Sequence, residues 1–336
     1  MAMPNPITMP TEDGSLEIKP LASGKHVVRF IPRDPGVFVP VSEFESTFPL
    51  ALLSELGAKN GAWLCEELSR HERFDYVVGV IGRQIRGFID PAEMAGKRFL
   101  DFGCGSGAST FGLSRMLPDT DIVGIELNPA SISRARLIAQ YRANPRVQFL
   151  QSPSSLELPG GIGDFDYVML SAVWEHLLPE ERPVLTAKLW KILKPGGCLF
   201  INQTPYRWSP LEHHTTGLWF VNYLPEGLAL RVARKWSRQT PEENAACNWR
   251  QLLRKGIRGG TEREILSHIP QAHGQPILLQ PRAPYRDRAD YWLGATSPRR
   301  KSSKKLIAAG FRLTDKLWGT VPSTHLEMAI RKAPRA

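Results

Sequence analysis

The residues best placed to do chemistry fall in one short turn, Asp101-Phe102-Gly103-Cys104-Gly105-Ser106-Gly107. Its three glycines lack a β-carbon and can take positive φ, so a ligand can lie directly on the backbone. A helix starting at Ser109 would offer free amide N–H groups to an anion, whether a carboxylate or a phosphate. Gly103, Gly105 and Ala108 also satisfy G-x-G-x-x-G/A, with Glu126 following at a distance suited to a ribose, so a dinucleotide competes for the site. Asp101 tilts the choice, because it offers an acceptor to a cationic amino group, which NAD lacks.

A second group of reactive side chains lies in Thr204-Pro205-Tyr206-Arg207-Trp208-Ser209-Pro210-Leu211-Glu212-His213-His214-Thr215-Thr216-Gly217. Aromatic, basic and histidine residues interleave here in a loop, where functional groups concentrate. His213 or His214 can act as base or substrate ligand, or can hold the loop through a backbone carbonyl. Arg207 can clamp an anion or pair with Glu212. His176, behind Glu175, is a third candidate, with capping or packing of its own helix as the alternative. A hydroxyl nucleophile benefits from such a base.

These groups need elements to position them. Apolar runs alternate with helical spacing: strand 98–102, helix 109–117, strand 121–126, helix 130–143, strand 147–150, strand 165–170, helix 180–193 and strand 198–202. That alternation predicts a doubly wound, mostly parallel α/β sheet with right-handed crossovers. Before it, 62–89 has helical periodicity, and the proline-containing first forty residues read as an extended arm or a loose tail. After it, 303–309 reads as a helix, and 311–317 and 325–331 as strands. A structureless connection from 204 to 300 is improbable, so a helical cap over the site is expected. The chain divides into an arm and helical segment (1–95), a core (96–203), a substrate-side insertion (204–300) and a closing helix with two strands (301–336).

Within that frame, the stretch Phe99 to Arg115, with Ile122-Val123-Gly124-Ile125-Glu126-Leu127-Asn128-Pro129 after it, resembles the first two motifs of class I S-adenosylmethionine-dependent methyltransferases. So do Asp164-Phe165-Asp166-Tyr167-Val168-Met169-Leu170, Trp174-Glu175-His176-Leu177 and Leu193-Lys194-Pro195-Gly196-Gly197. The resemblance covers roughly 97–202 plus the closing strands. It implies a Rossmann-like sheet of seven strands whose last runs antiparallel, and S-adenosylmethionine as cofactor. It further implies that Glu126 bridges the ribose hydroxyls, Leu127 packs on the adenine, and Ser171 lies near the methionine end. An acid commonly follows the third strand in this family. Here Gln151-Ser152-Pro153-Ser154-Ser155 stands there, so Ser154 or Ser155 is a substitute for the adenine contact. Cys104 faces the cofactor through its backbone as a small filler.

Glu175-His176 resembles the E-x-x-E-H arrangement of metal-assisted quinone O-methyltransferases, but Ala172 replaces the first acid, which argues against a metal. The loop 204–217 resembles the T-P-N-R…P-x-E-x-H-T segment of a subgroup whose substrates are often small molecules or glycans. Asn202-Gln203-Thr204-Pro205-Tyr206 resembles the N-P-P-Y motif of nucleic-acid amino methyltransferases only superficially. That motif belongs after the fourth strand, where Leu170-Ser171-Ala172-Val173 stands. The expected reaction is methylation of an oxygen, or less readily a nitrogen, of a small or saccharide-type acceptor. In-line displacement from a sulfonium needs chiefly a nucleophile held about 3 Å from the methyl carbon.

Composition bounds the alternatives. Cys65, Cys104, Cys198 and Cys247 form no C-x-x-C pair, which fits neither a disulfide framework nor a zinc site and predicts reduced thiols in a cytoplasm. The first residues do not read as a signal peptide, and apolar runs stop well short of the roughly 20 residues of a membrane span. The net charge of +10 is uneven, with 19 Lys and Arg against 7 Asp and Glu between Ala229 and Lys316. That block keeps an RNA methyltransferase in play, beside a solubilising surface. A non-catalytic scaffold and a dehydrogenase are the other readings, and the oligomeric state is open.

Overall fold

The structure, a computed structural model, describes residues 6–295 and 301–334. The chain opens not with an arm or tail but with an antiparallel meander, β1 (Ile7–Thr11), β2 (Gly14–Pro20), β3 (His26–Pro32) and β4 (Glu43–Ser46). The alternation is hidden by prolines at the strand ends. Leu16, Ile18, Val28, Phe30 and Phe44 nevertheless share one buried face. That face packs on α1 (Leu50–Asn60) and α2 (Leu64–Glu72), and the same core continues to Phe111 and Phe149 near the glycine turn. The helical reading of 62–89 holds in two pieces, because α3 (Phe74–Phe88) begins anew after Arg73 leaves helical geometry at ψ 83°.

The core then runs β5 (Arg98–Phe102), α4 (Ala108–Met116), β6 (Asp121–Glu126), α5 (Pro129–Arg142), β7 (Val147–Gln151), β8 (Phe165–Ser171), α6 (Glu181–Ile192) and β9 (Leu193–Pro205). Local chemistry sets the boundaries. Asn128 caps α5 by accepting from the amides of Ala130 at 2.8 Å and Ser131 at 3.2 Å, with Pro129 preset in the first turn. Side chains alternate across the sheet as the pleat requires. Leu100, Val123, Val168 and Leu199 meet α6 through Leu185, Leu189 and Trp190. Phe99, Ile122, Tyr167 and Phe200 face the other way, onto Val77, Ile81 and Ile85 of α3 and Leu113 of α4. The rings of Phe99, Tyr167 and Phe200 form a three-membered cluster, with Phe99 6.0 Å from Tyr167 and 6.3 Å from Phe200, and those two 6.3 Å apart.

Past the core come a short hairpin, β10 (Leu211–Glu212) with β11 (Leu218–Trp219), and the helices α7 (Glu226–Trp236), α8 (Pro241–Ala246), α9 (Trp249–Arg254) and α10 (Glu262–Ser267). The chain returns to the sheet at β12 (Pro276–Leu278), then forms α11 (Arg288–Gly294), α12 (Lys301–Trp318) and β13 (His325–Lys332). The strand expected at 311–317 is therefore the second half of α12. Its Leu313 and Leu317 stand one helical turn apart, and α12 from 301 to 318 contains no proline and a single glycine, Gly310, near its middle. The seventh strand is β12, inside the segment read as an insertion. Strand order is β12-β13-β9-β8-β5-β6-β7, with β13 antiparallel to both neighbours and the rest parallel. The order of the strands, not their direction, reverses between β5 and β8, with β6 and β7 laid down on one side and β8 and β9 on the other, and there an open α/β sheet forms its crevice. No helix of the described residues is long and apolar enough to cross a membrane.

Candidate functional site

At that crevice lies a cavity of about 260 Å³, lined from the sheet by Gly103, Glu126, Leu127, Ser152 and Val173, and from the insertion by Arg254. Phe102 and Gly103, at the start of the glycine turn, form part of its wall. Gly103 has φ 76°, and a β-carbon there would stand 2.5 Å from Val173 Cγ2; at Gly107, φ 93°, it would stand 2.6 Å from Phe149 Cζ. Side chains at either place would be strained and would also collide. Gly105 leaves open space above itself.

Glu126, ending β6, accepts from the Gly105 amide at 2.9 Å through one carboxylate oxygen and from the Asn128 amide at 2.7 Å through the other. It thus ties the turn to the next strand while facing the cavity. Leu127 beside it is 46% exposed, an apolar surface on the cavity wall with no protein group covering it. Cys104 turns into the core, close enough to Gly124 that a β-carbon there would lie 2.9 Å from its sulfur, and burial holds its thiol far above the usual range.

Asp101, expected to reach a cationic amino group, sits behind the turn. It is buried and accepts from the hydroxyls of Ser109 and Thr110, both at 2.7 Å, which fastens the first turn of α4. Burial raises its pKa, and the nearby Glu126 charge adds to the rise against those two hydrogen bonds. Ser171 ends β8 opposite Asn202 and does not line the cavity; the next residue, Ala172, does, with φ 54°. Ser154 and Ser155 both line it, but their hydroxyls already bond Glu157 at 3.2 Å and Glu181 at 3.0 Å. Ser152, not singled out from sequence, is the buried one whose hydroxyl has no partner.

Two more residues escaped the sequence reading. His71 of α2, fully buried, sets its Nε2 3.2 Å from Ser106 Oγ in the turn and 3.4 Å from Glu67. Burial raises the Glu67 pKa, but His71, Ser106 and Arg134 together more than offset it and leave the carboxyl below its ordinary value. Arg254 of α9 pairs with Glu181, its Nη1 donating at 2.6 Å, and so holds the insertion against the cavity rim.

The histidines split into two groups. His176 donates from Nδ1 to the Arg254 carbonyl at 2.7 Å, and its ring lies 5.3 Å from that of His214, with the buried Glu175 beneath them. His213 instead meets His325, with the two Nε2 atoms 3.0 Å apart, a pairing across 112 residues of sequence. Burial lowers the His214 pKa to about 4, helped by His176, and lowers that of His325 to about 4, helped by His213, so both rings are neutral at pH 7. Burial pushes the Glu175 carboxyl upward.

Arg207 joins neither group, nor does it pair with Glu212. Its Nη1 donates to the Asn222 carbonyl at 2.6 Å and its guanidinium covers Trp208. Burial, with Arg258 beside it, lowers its pKa to about 10. Glu212 is spent on the loop backbone, accepting from the amides of His214, Thr215 and Thr216 at 2.8, 2.9 and 2.6 Å.

Comparison with known proteins agrees with this geometry. Residues 100–199 match the family described as "Methyltransferase domain". The chain is 28% identical to demethylmenaquinone methyltransferase of Lactococcus lactis over 134 residues, 40% of this chain and 52% of that protein. It is 30% identical to the ubiquinone biosynthesis O-methyltransferase of Acinetobacter baylyi over 115 residues, 33% of this chain and 47% of that one. The chain thus spans about half the length of the curated relatives it matches. Among solved structures, PKMT2 from Rickettsia typhi is 16% identical with a TM-score of 0.46, covering 77% of this chain and 53% of that one.

Proposed function

We propose, because residues 100–199 match the family described as "Methyltransferase domain", that this chain moves the sulfonium methyl group of S-adenosylmethionine to an oxygen, or a nitrogen, of a small-molecule or saccharide-type acceptor. The observation that carries the reading is the cavity where the glycine turn, the Glu126 carboxylate and the exposed Leu127 converge. Glu126 would take the ribose hydroxyls, Leu127 the adenine face, and the unpartnered Ser152 hydroxyl a polar edge of the base. Gly103 and Gly105 would let the methionine portion approach the backbone, with Asp101 bracing the turn from behind.

The acceptor would lie on the side closed by the insertion, near His176, which lines the cavity, and His214 beside it, with the His213–His325 pair next along the same loop. The His213–His325 pair can take a proton from an acceptor hydroxyl as its oxygen attacks the methyl carbon and the carbon–sulfur bond breaks. Arg207 supports the loop in this reading and touches no acceptor. The RNA reading loses ground because many cations of the basic block are used internally. Arg254 pairs with Glu181, Arg288 with Glu262 and Asp315, and Arg312 with Asp287.

The test is transfer of labelled methyl from S-adenosylmethionine to a panel of phenols, sugars and RNA. Label on a phenol or sugar, reduced in His213→Ala, supports the proposal. Label confined to RNA contradicts it.

A further inference from the structure

Glu175 is fully buried, and only one of its carboxylate oxygens is satisfied. Oε2 accepts from the Thr204 hydroxyl at 3.0 Å, while Oε1 has no hydrogen-bond partner. An orphaned carboxylate oxygen in a protein interior is costly unless something cationic answers it. His176 Nε2 stands 3.9 Å from Oε1, too far for a hydrogen bond. The Nδ1 of that ring is engaged with the Arg254 carbonyl, an acceptor only, so Nδ1 carries the proton and Nε2 keeps its lone pair. His214 completes the group: one ligand atom from each of Glu175, His176 and His214 lies within 4.8 Å of the others. The backbone of Gly256 closes the cluster from behind, since a β-carbon there would stand 2.9 Å from His214 Nε2 and 3.1 Å from Glu175 Cγ.

We infer that Glu175, His176 and His214 bind one divalent transition-metal ion, with Zn²⁺ the best match, and leave a coordination position open to an acceptor oxygen. Two imidazoles and one carboxylate suit zinc and its neighbours, whereas Mg²⁺ and Ca²⁺ prefer oxygen donors throughout. Three protein ligands with a free position are the pattern of reactive zinc sites. The Arg254 carbonyl is the outer partner that fixes the tautomer and orientation of a ligating histidine. The sequence argued against a metal because Ala172 occupies the place of an acid. The ligand that matters here comes instead from the insertion, 38 residues beyond His176 at His214, where spacing along the chain gives no warning.

The use of the ion rests on the methyl-transfer reading. An acceptor hydroxyl bound at the open position would lose its proton more readily, with the His213–His325 pair as the group that takes it. Its oxygen then forms the new bond to the methyl carbon as the carbon–sulfur bond breaks, and S-adenosylhomocysteine departs as a neutral thioether. His176 lines the cavity that also contains Gly103 and Ala172, so the ion would sit at the edge of the cofactor site.

The test uses the full chain freed of metal by a chelator and titrated with Co²⁺ alone and then Zn²⁺ alone, following visible absorption and heat. S-adenosylhomocysteine binding is measured on the same samples. One Co²⁺ per chain with an intense four- or five-coordinate spectrum, displaced by Zn²⁺, is expected. Affinity should fall about 100-fold in Glu175→Gln and in His214→Ala, at least the roughly 10–100-fold lost with an outer partner, and stay unchanged in the remote His273→Ala. A wild-type protein that binds the nucleoside but shows no stoichiometric Co²⁺, or only the pale spectrum of six-coordinate hydrated ion, overturns the metal site and leaves methyl transfer standing. Equal Co²⁺ uptake by folded wild type, Glu175→Gln and His214→Ala overturns the ligand assignment. Failure of the wild type to bind the nucleoside contradicts the methyl-transfer reading, whatever the metal result. Because the wild-type spectrum decides by itself, a variant that does not fold leaves the inference decidable.

Discussion

Glu126→Ala removes the one charged group aimed into the cofactor cavity from the end of β6. In the free protein its two oxygens hold the amides of Gly105 and Asn128, and both amides lie near enough to the surface for water to replace it. The stability cost should therefore be small, under about 1 kcal/mol. The binding cost should be large. A hydrogen bond to a charged group contributes about 1.5–3 kcal/mol, and a carboxylate spanning two ribose hydroxyls makes two; allowing for partial replacement by water leaves about 2–4 kcal/mol. At about 1.4 kcal/mol per tenfold, the dissociation constant for S-adenosylhomocysteine should rise about 30- to 700-fold. Glu126→Gln should fall between, because its amide nitrogen must face one of two backbone donors. Calorimetric titration gives the constants and circular dichroism the melting point. A Glu126→Ala protein that melts like the wild type and binds within threefold of it would refute the placement of the ribose.

Other consequences follow from the packing and the ion pairs. Gly107→Ala puts a β-carbon against Phe149 at positive φ, so about 2–4 kcal/mol of stability should be lost in urea titration together with nucleoside affinity. Arg288→Ala strands the buried Glu262 and should cost about 3–5 kcal/mol, with loosened proteolytic protection of α10 to α12 as a second readout. At Asp166, burial raises the pKa but the Arg98 amide at 3.0 Å and Lys194 at 2.9 Å more than offset it, leaving the group below its ordinary value. A depressed folded-state pKa means stabilisation that is complete above the unfolded value of about 3.9 and fades as pH falls through the folded one. Asp166→Asn should accordingly be about 1–2 kcal/mol less stable at pH 7 and converge with the wild type in acid. His213→Ala should lower kcat by about 100-fold or more with the nucleoside constant unchanged, measured in the methyl-transfer assay.

The parallel core was legible because each strand is apolar, short and bounded by turn residues: Asn128-Pro129 opens one helix, and Lys194-Pro195-Gly196-Gly197 bends the chain within β9. Glu126, Leu127 and Gly103, singled out from sequence, line one cavity, since a turn open to a ligand restricts residue types locally. What failed was non-local or too short to carry a pattern. The meander of β1 to β4 hides its alternation behind prolines, and β12 has only three residues. The segment 311–317 alternates like a strand over its first half, and only its continuity with 301–310 makes it helical. Asp101 was expected to face a cationic amino group and instead braces α4, because an acid at a strand end can do either and residue type does not distinguish the two. The His213–His325 pair and the meeting of Glu175 and His176 with His214 depend on how the insertion folds back, which spacing along the chain does not encode.

The most direct test of the central claim is calorimetric titration of the purified wild-type chain with S-adenosylhomocysteine, run beside NADH. The account predicts one nucleoside site per chain with micromolar affinity and no heat from NADH. Absence of nucleoside binding in protein shown free of retained ligand, or saturable binding of NADH, would contradict it.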